Sequence, residues 1–306
     1  MLGMHRDRMK SDKEKSQSRF RTIVQLCFAA LLNGYAIGFI KGNIFKGKSK
    51  AFCVPVFNCY SCPGALGACP IGSLQAALSG TEKRFPFYVL GTITLFGVIF
   101  GRLLCGFVCP FGFIQDLLHK IPVKKVKMPK KIDKVLRFLK YAILIVFVIL
   151  LPLLLNDEYG MSSPYFCKLI CPAGTLEGGV PLLLTNENLR SMAGLLFGWK
   201  TVLLVLILIA CIFIHRFFCK YLCPLGAFYA LFNKFSLYRL NLDKEKCINC
   251  KKCETVCPMD VDVTVNINSA ECIRCGKCKA VCPTVAIKTE PLITKDIREK
   301  HETEKG

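Results

Sequence analysis

Acidic residues are scarce in this chain: 21 Asp and Glu stand against 42 Lys and Arg, a formal balance of +21 over 306 residues. Histidine is scarcer, with only His5, His119, His215 and His301. His119 and His215 fall toward one end of the apolar segments and have no counterpart at the other, so a haem at each membrane face has no ligands. No dinucleotide glycine fingerprint, phosphate loop or catalytic triad pattern is present, which leaves substrate chemistry to another subunit. Myristoyl and prenyl motifs are missing. The charged leader is too long for a secretory signal and ends in no small-residue cleavage site, so it reads as the front of an uncleaved anchor. Disorder is excluded by an apolar content of 53%. A small disulfide-stapled secreted domain is excluded by length.

What the chain does have is oil and sulfur. Four stretches approach the about 20 residues of helix needed to cross a bilayer core: Phe20–Ile40, Phe85–Leu104, Leu136–Leu155 and Thr201–Phe218. None shows the polar stripe of an amphipathic surface helix. Basic residues flank them unevenly. The leader carries Arg6, Arg8, Lys10, Lys13, Lys15, Arg19 and Arg21. The loop after the second stretch carries Lys120, Lys124, Lys125, Lys127, Lys130, Lys131, Lys134, Arg137 and Lys140. The other two loops hold Lys41, Lys46, Lys48, Lys50, Lys83 and Arg84, then Lys168, Arg190 and Lys200. Sixteen against nine places both termini in the cytoplasm by the positive-inside rule. The basic excess then lies beside anionic lipid, and no nucleic acid partner is needed to explain it.

Twenty cysteines follow two patterns. After the last apolar stretch come Cys247, Cys250, Cys253 and Cys257-Pro258, then Cys272, Cys275, Cys278 and Cys282-Pro283. Each block is C-x2-C-x2-C-x3-C-P, the spacing that holds [4Fe–4S] clusters in two-cluster bacterial ferredoxins, with the fourth thiolate crossing to the other cluster. The expected ligand sets are Cys247, Cys250, Cys253 and Cys282 for one cluster, and Cys272, Cys275, Cys278 and Cys257 for the other. Zinc would have no use for a duplicated block of four ending in proline. Lys251, Lys252, Lys277 and Lys279 lie among the ligands, either docking an acidic electron carrier or forming an ordinary solvated face.

The second pattern, Cys-Pro-x-Gly followed by an apolar residue and usually Gln or Glu, occurs four times. It comprises Cys69 to Gln75, Cys109 to Gln115, Cys171 to Glu177, and Cys223 to Tyr229. The last three have a cysteine four residues upstream, at Cys105, Cys167 and Cys219, while Cys59 and Cys62 precede the first. At that spacing on a helix two thiols share a face, and proline suits the first turn of the next helix. One apolar stretch separates each motif from the next, so the motifs alternate sides in a tandem parallel repeat. Cys105, Cys109, Cys219 and Cys223 are then expected to meet at the inner face, and Cys59, Cys62, Cys69, Cys167 and Cys171 at the outer face. Each group could hold a further cluster. Disulfides outside, packed reduced thiols inside and a soft-metal site remain open alternatives. Cys27 and Cys211 read as apolar packing, and His215 beside Arg216 as an interfacial residue; Cys53 has no assigned role.

Apolar stretches bearing CGFVCPFG and CKYLCPLG, followed by both ferredoxin blocks, resemble the membrane polyferredoxin family. It includes the ferredoxin-type membrane subunit of periplasmic nitrate reductase systems, the membrane part of the nitrous oxide reductase regulator, and a cytochrome oxidase maturation protein. The resemblance runs from about Phe85 to Glu290. It implies electron transfer between a cytoplasmic or quinol donor and a membrane or extracytoplasmic redox partner, by a component of an oxidoreductase system. The outer motifs exceed the simplest family pattern, and no large flavin-bearing domain precedes the stretches.

The expected architecture is mainly α. A basic cytoplasmic leader (1–19) precedes a polytopic helical bundle of four spans (20–239) in the plasma or inner membrane. A small α+β two-cluster ferredoxin domain (240–290) and a polar tail (291–306) follow. Expected cofactors are two [4Fe–4S] clusters, with one or two more in the membrane domain and a quinone between the faces. Metal handling or maturation, with copper as the soft ion, is the alternative from another class, and redox sensing is a third.

Overall fold

The computed structural model describes residues 2–80, 85–155, 161–191 and 193–291. Lys83, Arg84 and the tail beyond Pro291 lie outside the described residues. The chain is mainly helical and divides into two compact units. One comprises Met1–Val24, Leu95–Phe107 and Tyr229–Gly306, the other Gln25–Thr94 and Val108–Phe228.

Among the described residues two helices are long and apolar enough to cross a membrane, Lys130–Leu154 and Leu195–Phe213. Only 28% and 17% of their apolar stretches are buried, so they are not core helices of a soluble protein. Leu195, Val202, Leu206 and Ile209 on one, and Phe138, Ile145 and Leu150 on the other, are exposed. Apolar surface on this scale requires cover, and the chain is a membrane protein. Lys130–Leu154 is widened into a π turn at Leu144–Leu150, just ahead of Pro152. Proline has no N–H to return to the carbonyl four residues back, and the wider turn accommodates that loss. The π turn at Gly174–Gly179 stands in the same relation to Pro181.

The other two apolar stretches are interrupted. Phe20–Ile40 is split between the end of the helix Leu2–Leu32 and the short helix Ala36–Lys41. At the break, the Asn33 side-chain amide donates to the Ala29 carbonyl. Within Phe85–Leu104 the helix Phe87–Phe100 has 14 residues, about 21 Å at 1.5 Å per residue, short of the about 30 Å hydrocarbon core. It stops at Gly101, whose φ of +55° is left-handed. A Cβ there would lie 2.6 Å from Asn233 Oδ1 and 3.0 Å from an Arg274 guanidinium nitrogen, so only glycine fits.

Those two side chains belong to the network that organises the first unit. Arg102, fully buried, pairs with Glu271 at 2.9 Å and donates to the Ala270 carbonyl. Asn233 accepts the Arg102 amide and donates to the carbonyls of Ser269 and Cys272. Arg274 donates to the carbonyls of Phe100 and Asn233 and to Ser236 Oγ. The end of an apolar helix is thus tied to the loop carrying the second cysteine block. The module closes with antiparallel strands Tyr238–Leu242 and Ile287–Pro291, paired from Tyr238 opposite Pro291 to Leu242 opposite Ile287. Arg102→Ala would leave the Glu271 carboxylate buried without its cation, at an expected cost of about 3–5 kcal/mol. Thermal unfolding of the detergent-solubilised protein, with Arg102→Lys for comparison, measures it.

Candidate metal centres

The two ferredoxin blocks fold alike. Asn249 and Arg274, Lys251 and Gly276, and Asp260 and Val285 occupy equivalent places in the two blocks, and all six have positive φ. Each non-glycine residue held there costs about 1–3 kcal/mol, an expense concentrated at functional sites. Left-handed residues alternating with right-handed ones turn successive amides inward, forming a nest for an anion. The third cysteine of each block sits in a short helix, Lys252–Thr255 or Lys277–Val281, that begins directly after one of these residues.

Two openings result. One is lined by Cys247, Cys250, Cys253 and Cys282, with Ile248, Pro283 and Ile287 around them. The other is lined by Cys272, Cys275, Cys278 and Cys257, with Met259, Val261 and Ile273. Each fourth cysteine stands with the three of the other block. Its sulfur also accepts an amide four residues on: Val261 donates to Cys257 at 3.4 Å and Ala286 to Cys282 at 3.3 Å.

Burial and then the neighbouring sulfurs of Cys275, Cys272 and Cys257 push the Cys278 thiol up. Burial pushes Cys272 up to about 11, against the Arg274 amide. Cys282 is the exception, held low, against the effect of its burial, by hydrogen bonds from Thr284 and Ala286. Sulfurs crowded into such pockets ionise only when cationic iron offsets their charge, so the donor set fits an iron–sulfur cluster. The two sites differ in exposure: Cys275 and Cys278 are buried, whereas Cys250 is exposed.

The Cys-Pro-x-Gly motifs also share one local structure, and it differs from the expected one. The two cysteines of a pair do not lie on one helix. Cys105 is in the helix Leu103–Phe107, which ends before Cys109; Cys109 has extended backbone and caps the next helix, Pro110–Leu118. Cys219 lies in Phe217–Tyr221 and Cys223 precedes Pro224–Phe232; Cys167 lies in Tyr165–Leu169 and Cys171 precedes the next helical segment. The sulfurs of Cys109, Cys171 and Cys223 each accept the amide of the motif glycine, Gly112 at 3.4 Å and Gly174 and Gly226 at 3.3 Å. In these three the motif is a sulfur N-cap with proline at the first helical position, whereas Cys69 precedes Pro70–Leu78 without a side-chain cap bond. The positive end of the helix favours a thiolate there.

In three of the four motifs the polar residue that closes the motif reaches across to another motif within the second unit. Gln75 donates to Cys167 Sγ at 3.4 Å and accepts the Phe166 amide. Gln115 donates to Cys219 Sγ at 3.0 Å and accepts the Cys219 amide. Glu177 accepts the Cys59 amide at 2.8 Å. Sequence marked these residues as part of a motif without giving them a partner. Of the inner group, Cys109, Cys219 and Cys223 lie in the second unit and Cys105 in the first. Of the outer group, Cys62 turns toward Asn33 Oδ1. Cys53 donates its amide to no sulfur but to the Tyr88 hydroxyl.

His215 is half-buried. It lies 3.1 Å from Asp116, which also binds Arg216 through both carboxylate oxygens and accepts from Gln25. The His119 ring packs edge-on against it at 4.9 Å. Among the described residues no three His, Cys, Asp or Glu side chains converge on one ion; ligands of a cubane each hold a different iron and stand further apart.

The 4Fe-4S binding domain family matches this chain twice, at residues 85–129 and 196–243. The 4Fe-4S dicluster domain family matches residues 239–283. The outer motifs around Cys69 and Cys171 fall outside all three matches. An uncharacterized protein of Methanocaldococcus jannaschii is 33% identical over 183 residues, 57% of this chain and 66% of the relative. The methylamine utilization ferredoxin-type protein MauN of Paracoccus denitrificans is 31% identical over 206 residues, 64% and 62% of the two chains. The putative electron transport protein YccM of Escherichia coli is 28% identical over 183 residues, 57% and 46%. The chain thus aligns with less than two thirds of these relatives' lengths. No solved structure matches it. The chain thus carries 4Fe-4S binding domains and is similar to ferredoxin-type and putative electron-transport proteins.

Proposed function

We propose that this protein transfers single electrons at a membrane, between a cytoplasmic or quinol donor and a membrane or extracytoplasmic redox partner. The observation that carries the reading is the crossed lining of the two ferredoxin openings, three thiols from one block with the fourth of the other. Bound in these openings, a [4Fe–4S] cluster supplies a one-electron couple. The chain's part is to hold and tune that couple. Apolar side chains line both openings, and amides of Val261 and Ala286 donate to ligand sulfurs. The exposed edge at Cys250, beside exposed Lys251 and Lys252, is the place of exchange with a soluble carrier. Its positive charge favours an acidic one.

In this reading Cys247, Cys250, Cys253 and Cys282 hold one cluster, and Cys272, Cys275, Cys278 and Cys257 the other. Electron paramagnetic resonance of the full-length protein, isolated anaerobically and reduced, tests the assignment. Cys282→Ala should remove the cluster of the first block and Cys257→Ala that of the second. Each should lower iron by about four per chain and abolish the magnetic coupling between the pair. Loss of the opposite cluster, or no loss, would refute the crossed ligation.

The same reading has the chain cross the membrane four times with both termini cytoplasmic, supported by the basic leader and the basic loop 120–140. Within the second unit, Cys109, Cys219 and Cys223 contribute to an inner-face site, supported by the shared sulfur caps and by the bond from Gln115 to Cys219. A quinone between the faces would shorten the electron's path. A fluorescent protein fused after Gly306 should fluoresce, and alkaline phosphatase at the same place should stay inactive. The reverse is expected for fusions after Leu155, and equal behaviour at both places would overturn the topology.

A further inference from the structure

The segments around Cys59–Cys69 and Cys167–Glu177 match neither iron–sulfur domain family, yet within the second unit they gather sulfur. The point where a Gly174 side chain would begin lies 3.6 Å from Cys171 Sγ and 3.9 Å from Cys59 Sγ. The corresponding points at Gly178 and Gly72 lie 3.5 Å from Cys59 Sγ and 3.9 Å from Cys167 Sγ. The three glycines therefore lie within van der Waals reach of the sulfurs. Cys69 begins the helix Pro70–Leu78, to which Gly72 belongs. The sulfur of Cys69 lies close enough to those of Cys59, Cys167 and Cys171 to interact electrostatically with each.

Two further observations mark this interior as built around something besides the protein. Asn58 is fully buried next to Cys59, and neither side-chain atom of its amide has a hydrogen-bond partner. Glu177 Oε1 is likewise buried and unpartnered, while its other oxygen accepts the Cys59 amide. Buried polar groups are ordinarily satisfied, and leaving them unsatisfied is unfavourable. The fifth thiol, Cys62, is engaged elsewhere, with Asn33. Four sulfurs from two segments with small residues beside them match a cubane ligand shell, and the unpartnered Asn58 Nδ2 is a donor that a cluster sulfide can accept from. A single soft ion would draw the sulfurs onto one point.

We infer that Cys59, Cys69, Cys167 and Cys171 bind a further [4Fe–4S] cluster, with Gln75 as a positioning residue whose amide donates to the Cys167 sulfur. Cys62 is not a ligand. The inference deepens the electron-transfer proposal and rests on it only for the redox role of the site. Amide donation to a ligand sulfur stabilises the more negative, reduced cluster and raises its potential.

The test compares full-length wild type, Cys171→Ala, Cys62→Ala and Gln75→Leu proteins, all isolated anaerobically. Iron, acid-labile sulfide, zinc and copper are measured alongside the spin resonance spectrum and the mass of the alkylated chain. Cys171→Ala should lose about four irons and one signal while both ferredoxin signals persist; Cys62→Ala should lose none. Gln75→Leu keeps every ligand, so it should retain the iron and lower the midpoint potential of that signal alone. It also serves if Cys171→Ala fails to accumulate. Equal iron in wild type and Cys171→Ala would overturn the inference. So would zinc or copper in place of iron, or a chain mass showing these thiols paired as disulfides. An unchanged potential in Gln75→Leu would overturn the positioning role. Absence of the ferredoxin signals from wild type would instead defeat the electron-transfer proposal.

Discussion

Sulfur buried in a medium of low polarity has to be given positive charge, and much of this fold is organised to supply it. The protein's own contribution is backbone N–H. Gly112, Gly174 and Gly226 point amides at the sulfurs of Cys109, Cys171 and Cys223, and Val261 and Ala286 do so for Cys257 and Cys282. In the membrane-associated motifs the amide belongs to a helix N-terminus, which has no other use for it. In the ferredoxin blocks it belongs to turns made by paired left-handed residues. Two unrelated backbone devices thus serve one electrostatic need, which iron completes in the ferredoxin blocks.

The two kinds of site differ in what holds them in place. The ferredoxin module closes on itself through a short antiparallel strand pair and is braced in its unit by Arg102, Asn233 and Arg274. The Cys-Pro-x-Gly motifs cannot close alone, because each contributes only one or two thiols. They are joined in pairs by the residue that ends the motif, Gln75 to Cys167, Gln115 to Cys219 and Glu177 to Cys59. A glutamine can both donate to sulfur and accept from backbone; the Glu177 contact to Cys59 is an accepted backbone amide. This gives the outer pair a different balance of charge at its two ends.

Several features were legible because they are local. The duplicated C-x2-C-x2-C-x3-C-P spacing dictates how a short chain wraps a cube, and the apolar stretches Leu136–Leu155 and Thr201–Phe218 largely coincide with the two long exposed helices. Others were misread for an equally local reason. Cysteines four apart suggested one helical face, but proline after the second cysteine makes that residue the cap of a new helix. Phe20–Ile40 and Phe85–Leu104 looked continuous by hydropathy alone, which does not register the turn after Leu32 or the left-handed Gly101.

By itself the sequence determined the chemistry, because ligand type, ligand spacing and hydrophobic length act over a few residues. Tertiary structure decided the company each thiol keeps. Gln75 lies 92 residues from Cys167, Gln115 lies 104 from Cys219, and Cys59 lies 118 from Glu177. Nothing in a run of five outer cysteines says that Cys62 turns to Asn33 while Cys59 faces Cys171. That choice depends on how helices far apart in the chain pack together, and on which buried polar groups the packing leaves to be satisfied.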